Sequence, residues 1–129
     1  MQDSLQKLSG PVFSLARIVF AFLYLSHGLN WIFGTFGGTM AEFPSRFWFA
    51  GVIELVLGTL LLLGLFTRFA AFIASGEMAV AYFTSHVPRG GFIPVQNGGE
   101  ITVALCFAFF FMIFHGAGPW SVDRIMGRK

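Results

Sequence analysis

An unbroken apolar run from residue 47 to 66 contains one carboxylate, Glu54, within Gly51-Val52-Ile53-Glu54-Leu55-Val56-Leu57-Gly58. A helix needs about 20 apolar residues to cross a hydrocarbon core, and this run supplies them. An ionised carboxylate in such a place is costly unless it is paired, hydrogen-bonded or protonated. Gly51 and Gly58 stand about one turn before and after Glu54, so a neighbouring backbone can approach that face closely. Glu54 is therefore the residue whose presence most needs a reason.

The rest of the chain sharpens the same constraint. Charged residues make up 11% of the 129 residues, against about 25% in an ordinary soluble domain. With 56% apolar residues and a mean hydropathy of +0.76, the sequence reads as a single integral membrane domain. The 18 phenylalanines read as packing before function. A net charge of +2 does not argue for nucleic acid, because the basic residues sit at chain ends and loops, where membrane topology places them. The single cysteine, Cys106, lies in an apolar run, can form no internal disulfide or dithiol relay, and reads as a small packing residue.

The apolar pattern predicts spans over residues 12–33, 47–66, 69–85 and 100–115. The expected fold is all-α: an integral membrane four-helix bundle of up-down topology. Residues 1–10 are polar, and the first apolar run is too long for a cleavable signal, so it is expected to remain as the first span. Residues 64–68 read as a tight link, and residues 87–99 as a long irregular Gly/Pro loop. Ser121 reads as the cap of a final helical turn. Trp31 and Trp48 fall where an aromatic belt would lie. Lys7, Arg17, Arg68, Arg124, Arg128 and Lys129 fall on one side against Arg46 and Arg89 on the other, which puts both termini in the cytoplasm.

Helix rise places His27 and Glu54 at similar depth, each roughly 10 Å below the outer end of its helix, with Glu77 near the midplane. Tyr24 lies two turns beyond Arg17 on almost the same face. A polar line through the bundle can be drawn through Arg17, Glu77, Tyr24, His27 and Glu54. Each member has a plainer reading. Arg17 can snorkel to headgroups or lock helices by pairing with Glu77. Glu100 suits the N-terminus of the last span at the outer interface, His86 and His115 suit the interfaces, and His27 can bond a backbone carbonyl. Glu54 and Glu77 are too expensive as mere structure and are expected to face the interior, handling protons, binding a ligand or forming a buried ion pair.

Several chemistries are excluded by pattern. There is no HExxH, Cys-His cluster or CxxCH motif, so no metal site is expected. Ser26 and His27 are neighbours on a helix and do not face each other for hydrolysis. A haem between His27 and His86 is disfavoured, because one histidine lies about two turns deeper than the other.

The sequence resembles the DoxX family of small membrane proteins. The resemblance rests on Ala16-Arg17-Ile18, Ser26-His27-Gly28, the segment around Glu54, Leu63-Gly64-Leu65-Phe66-Thr67-Arg68-Phe69-Ala70-Ala71 and Glu77-Met78-Ala79. It continues through Pro88, Asn97-Gly98-Gly99-Glu100 and Gly116-Ala117-Gly118-Pro119-Trp120-Ser121-Val122-Asp123. It implies a four-helix bundle in a bacterial inner membrane and an association with quinone-linked oxidoreduction, as an accessory subunit. Arg17, Tyr24, His27, Glu54, Glu77 and Glu100 are the candidate ligand-binding or proton-handling residues, of which all but Tyr24 stand at positions matching the family.

Three readings follow. In the first, a quinone or similar lipophilic molecule binds near His27 and Glu54, which hydrogen-bond its oxygen and exchange protons. In the second, the chain is a non-catalytic scaffold in a larger membrane complex or homo-oligomer, with an Arg17–Glu77 pair inside and glycine faces of the second and third spans against a partner. A small proton-coupled carrier comes third, since no broken helices or inverted repeat are evident.

Overall fold

Glycine permits a close helix contact in this chain. In the computed structural model, which describes residues 1–128, α1 (Gln2–Phe33) and α2 (Arg46–Leu63) meet along Gly28, Gly51 and Gly58. A Cβ added at Gly58 would lie 2.9 Å from the Leu25 Cβ, and one at Gly51 would lie 2.8 Å from the Trp31 Cβ. One at Gly28 would meet the Gly51 carbonyl oxygen and the Leu55 nitrogen, both at 2.9 Å. The pairing of Leu25 with Gly58 and Trp31 with Gly51 means that the two helices run in opposite directions. The glycine face of α2 is thus filled by α1 and is closed to a partner helix, which corrects that part of the scaffold reading.

The remaining helices are α3 (Thr67–Ala81), a π-helical turn (Tyr82–His86), α4 (Val87–Gly90), α5 (Pro94–Asn97), α6 (Glu100–His115) and α7 (Val122–Ile125). No strand occurs among the described residues, so the chain is all-α. α3 packs along α6, where the Ser75 hydroxyl donates to the Cys106 carbonyl at 2.8 Å. The core is small and aliphatic: Ala21, Ala70, Ala71, Ala74, Leu61 and Leu105 are fully buried. Phe109 and Tyr24 are the fully buried aromatics there, edge to face at 5.0 Å.

Most phenylalanines point the other way. Phe22, Phe49, Phe72, Phe107 and Phe114 are among many that stand exposed, so they coat the helices instead of filling the space between them. Such a surface is unfavourable in water and at home in lipid. α1 and α2 are long and apolar enough to cross a membrane, and α6 is apolar but shorter, at 16 residues.

Residues 87–99 are not the irregular loop that their glycines and prolines predict. Helix continues from Thr67 through the π-helical turn to Gly90, and α5 begins on Pro94, where a missing N–H costs nothing. Asn97, nearly fully buried, organises the segment: its amide donates to the Tyr82 hydroxyl at 3.0 Å and the Gly91 carbonyl at 2.8 Å. Its Oδ1 accepts from the Gly99 N–H at 2.8 Å, and the Tyr82 hydroxyl donates to the Phe92 carbonyl. Composition gives loop propensity, but one buried amide with two donors and an acceptor supplies the partners that the backbone needs.

At the other end, α3 begins without a cap of its own, on Phe66 at φ 50°. Asp123 provides the cap from across the fold, accepting from the Phe66 and Thr67 amides at 2.8 and 2.9 Å, while its own N–H donates to the Gly64 carbonyl at 2.8 Å. Arg68 donates to the Ile113 and Phe114 carbonyls at 2.7 and 2.8 Å, covering orphan acceptors at the end of α6. Ser121 caps α7 by accepting from the Arg124 N–H at 3.2 Å. Lys129, counted with the basic residues of this end, lies outside the described residues.

Two outcomes follow from these contacts. Gly58→Leu should overpack the α1–α2 seam and lower stability in detergent by about 1–3 kcal/mol, whereas Gly76→Leu, where an added Cβ meets nothing within 4 Å, should leave it unchanged. Comparison of the two unfolding curves is the check. Burial alone would raise the Asp123 pKa, but the Thr67 and Phe66 amides and Arg128 outweigh it and hold the carboxyl below its ordinary value. Its stabilisation should be complete above the unfolded value of about 3.9 and fade as pH falls through the lower folded value. Asp123→Asn should remove that acid limb from a plot of melting temperature against pH.

Candidate functional site

α1, α2, the α3–π-turn segment and α6 enclose a cavity of about 560 Å³. Its walls are apolar, from Trp31, Phe47, Ile53, Met78 and Leu105. Polar side chains line it too, among them His27 from α1, Glu54 from α2 and Glu77 from α3. Glu54 is 3% exposed, held against α1 by the glycines on either side of it. Glu77 accepts from the Tyr24 hydroxyl at 2.8 Å and lines the same cavity as Glu54. Tyr24 and Glu77 thus form a hydrogen-bonded pair running from the core to the cavity that Glu54 also lines.

Two atoms of this group are left without partners. Glu54 Oε1 and His27 Nδ1 are buried and make no hydrogen bond. Buried polar atoms are nearly always satisfied, and leaving one unpaired costs about 1–3 kcal/mol. Both belong to side chains that line one cavity, so a single molecule with a polar end can serve both.

The cavity is also lined by polar residues that the sequence did not mark as ligand-binding candidates. Arg46, Thr84, Ser85, His86 and Thr102 line it. The His86 ring is fixed by the Asn97 carbonyl at 3.4 Å from Nδ1 and the Thr102 hydroxyl at 3.2 Å from Nε2. Arg46 donates to the Thr84 carbonyl at 3.3 Å and lies 4.9 Å over the Phe47 ring. Pro88 is the signal that could have found this contact. Four residues after Thr84, it lacks the N–H that an α-helix would direct at that carbonyl. The π-helical turn, in which the Val87 N–H reaches back to the Tyr82 carbonyl, contains Thr84, Ser85 and His86, which all line the cavity.

The other predicted residues lie elsewhere. Arg17 is fully buried but neither snorkels nor pairs with Glu77, which corrects both of its plainer readings. Its Nε donates to the Leu61 carbonyl at 3.0 Å, and its terminal nitrogens donate to the carbonyls of Leu62 at 3.4 Å, Trp120 at 2.9 Å and Ala117. It therefore covers the orphan carbonyls at the C-terminus of α2 and holds down the chain after α6. The polar line expected from Arg17 inward begins instead at Tyr24. Glu100 is exposed in the first turn of α6 and does not line the cavity. His115 stacks on Phe13 at 3.6 Å, outside the cavity. No cluster of three His, Cys, Asp or Glu side chains suited to a metal ion occurs among the described residues.

An all-helical chain coated in exposed apolar side chains, with an apolar cavity around a few buried polar groups, is a membrane protein. The DoxX family model matches residues 12–87, and the chain belongs to the DoxX family. A Haemophilus influenzae protein described as uncharacterized is 40% identical over 133 residues, covering 98% of this chain and 99% of that one. An uncharacterized membrane protein of Mycobacterium tuberculosis is 32% identical over 98 residues, covering 67% of this chain and 60% of its own length. No solved structure matches the chain.

The geometry separates an anchoring arginine from the cavity group. Arg17→Gln should leave several buried carbonyls without a donor and cost about 3 kcal/mol of stability, whereas Tyr24→Phe should cost about 1 kcal/mol. Denaturant titration of both variants in one detergent measures the difference.

Proposed function

We infer that this protein binds a quinone or similar lipophilic molecule in the cavity beside Glu54 and His27, as a redox-associated subunit in a bacterial inner membrane. The observation that carries the reading is the pair of unpartnered buried atoms, Glu54 Oε1 and His27 Nδ1, on side chains that line one apolar cavity. A quinone ring and tail suit walls of Trp, Phe, Ile and Met, and its oxygen meets the two polar groups. Phe49, Ile53 and Val80 line the same cavity and are exposed, so the ligand enters sideways from lipid.

In this reading the chain is one transmembrane domain, an up-down four-helix bundle with spans near 12–33, 47–66, 69–85 and 100–115. Both termini are cytoplasmic, following the excess of basic residues at that end. Reduction of a quinone to its quinol takes two electrons and two protons. The electrons come from a partner in a membrane complex, and this chain supplies the binding site and the protons. Glu54 gives one proton to the ligand and Glu77, which the Tyr24 hydroxyl holds beside the same cavity, gives the other. His27 completes the hydrogen bonding to the ligand, orienting it toward Glu54.

The test is purification from native membranes in mild detergent, followed by mass spectrometry of the small molecules retained. A stoichiometric quinone is expected. Glu54→Gln and His27→Ala should each weaken its binding about 10-fold while melting near the parent temperature. Equal quinone affinity in the parent and both variants would refute the reading.

A further inference from the structure

A second cavity, of about 580 Å³, lies at the other end of α3 and α6, and its chemistry is the reverse of the first. Arg68, Arg124, Arg128 and His115 line it, against one acidic side chain among the described residues, Asp123. The Asp123 oxygens already accept from the Phe66 and Thr67 amides, so its charge is partly committed to the start of α3.

The cations are held in position. Arg68 is fixed through the Ile113 and Phe114 carbonyls. The Arg128 guanidinium lies 4.2 Å over the Phe66 ring and 3.7 Å from Asp123, and His115 is stacked on Phe13. Arginine presents a planar fork of donors that matches the oxygens of a phosphate. Several arginines converging on one recess, where the Asp123 carboxylate is already engaged by backbone amides, favour a phosphate-bearing anion.

The surroundings decide which kind. Phe69, Phe114, Trp120, Ile125 and Met126, neighbours in sequence of the lining residues, are all exposed apolar side chains. A soluble anion makes no use of them, whereas an anionic lipid uses both surfaces: the headgroup in the recess and the acyl chains along the apolar side chains. Basic recesses at the ends of membrane helices suit this role. We propose that this second cavity binds the phosphate headgroup of an anionic phospholipid. Binding there fastens α7 and the segment after α6 to the end of the molecule that Arg17 and Asp123 already tie together. The proposal does not depend on what occupies the first cavity.

The test is a titration of the full chain in detergent with phosphatidylglycerol, phosphatidylcholine or inorganic phosphate, reading bound adducts by native mass spectrometry. Phosphatidylglycerol should bind well ahead of phosphatidylcholine. The double variant Arg124→Gln/Arg128→Gln should bind it about 30-fold more weakly, from a loss of about 5-fold per basic residue. Lys7→Gln/Arg89→Gln removes the same charge outside the cavity and should bind normally. Arg124→Lys/Arg128→Lys keeps the charge but not the fork. It should bind more tightly than the glutamine double variant and more weakly than the parent, a graded order that a folding defect would not give. Equal binding of the two lipids, or equal loss in both charge-removal variants, would overturn the proposal. So would displacement of phosphatidylglycerol by millimolar inorganic phosphate, which would mark the recess as a site for a free anion.

Discussion

The Arg17 guanidinium, fully buried and bonded only to backbone carbonyls, is the interaction on which the rest of this fold depends. A helix end inside a membrane protein leaves carbonyls that neither water nor lipid can satisfy. Arg17 answers that need for α2 and reaches the chain after α6 as well, so one side chain on α1 joins three parts of the sequence. Asp123 does the complementary work for the amides that open α3, and Arg68 for the carbonyls that close α6. Charges in this chain therefore serve first as caps. Their spacing from 17 to 123 makes the end of the molecule one connected unit.

Against that background the cavity group stands apart. Where the ends are tied, buried donors and acceptors other than the Thr67 hydroxyl find partners over long sequence distances. Glu54 Oε1 and His27 Nδ1 do not, although both stand on helices packed as closely as glycine permits. Close packing and an unsatisfied polar atom are a poor combination for stability. The same arrangement suits a site that holds its polar groups ready for an incoming oxygen, because reorganisation on binding is then small.

The cavity's shape depends on a break in helix regularity. Pro88 removes a donor, the π-helical turn shifts the register of residues 82–86, and Arg46 fills the vacancy at the Thr84 carbonyl. One local irregularity thus contains Thr84, Ser85 and His86, which all line the cavity, and bridges α2 to the end of the α3 segment. The Asn97 network steadies the same end through Tyr82 and His86.

The sequence by itself determined the all-helical, lipid-facing character of the chain, because an apolar run with so few charges has no other economical fold. It also determined the importance of Glu54, since a lone carboxylate in such a run demands a reason, and the close approach at Gly51 and Gly58, since small residues about one turn to either side permit it. Tertiary structure alone decided what those features meet. That Leu25 and Trp31 fill the glycine faces, that Glu77 turns to Tyr24 instead of Arg17, and that Arg17 caps a distant helix are matters of partner choice. A side chain's periodicity fixes the face that it occupies, but its partner is set by how helices far apart in sequence cross, and that crossing is settled only when the whole set packs together. The segment 87–99 makes the same point from the other side: its glycines and prolines carry loop propensity, and the partners offered by one buried asparagine overrode it.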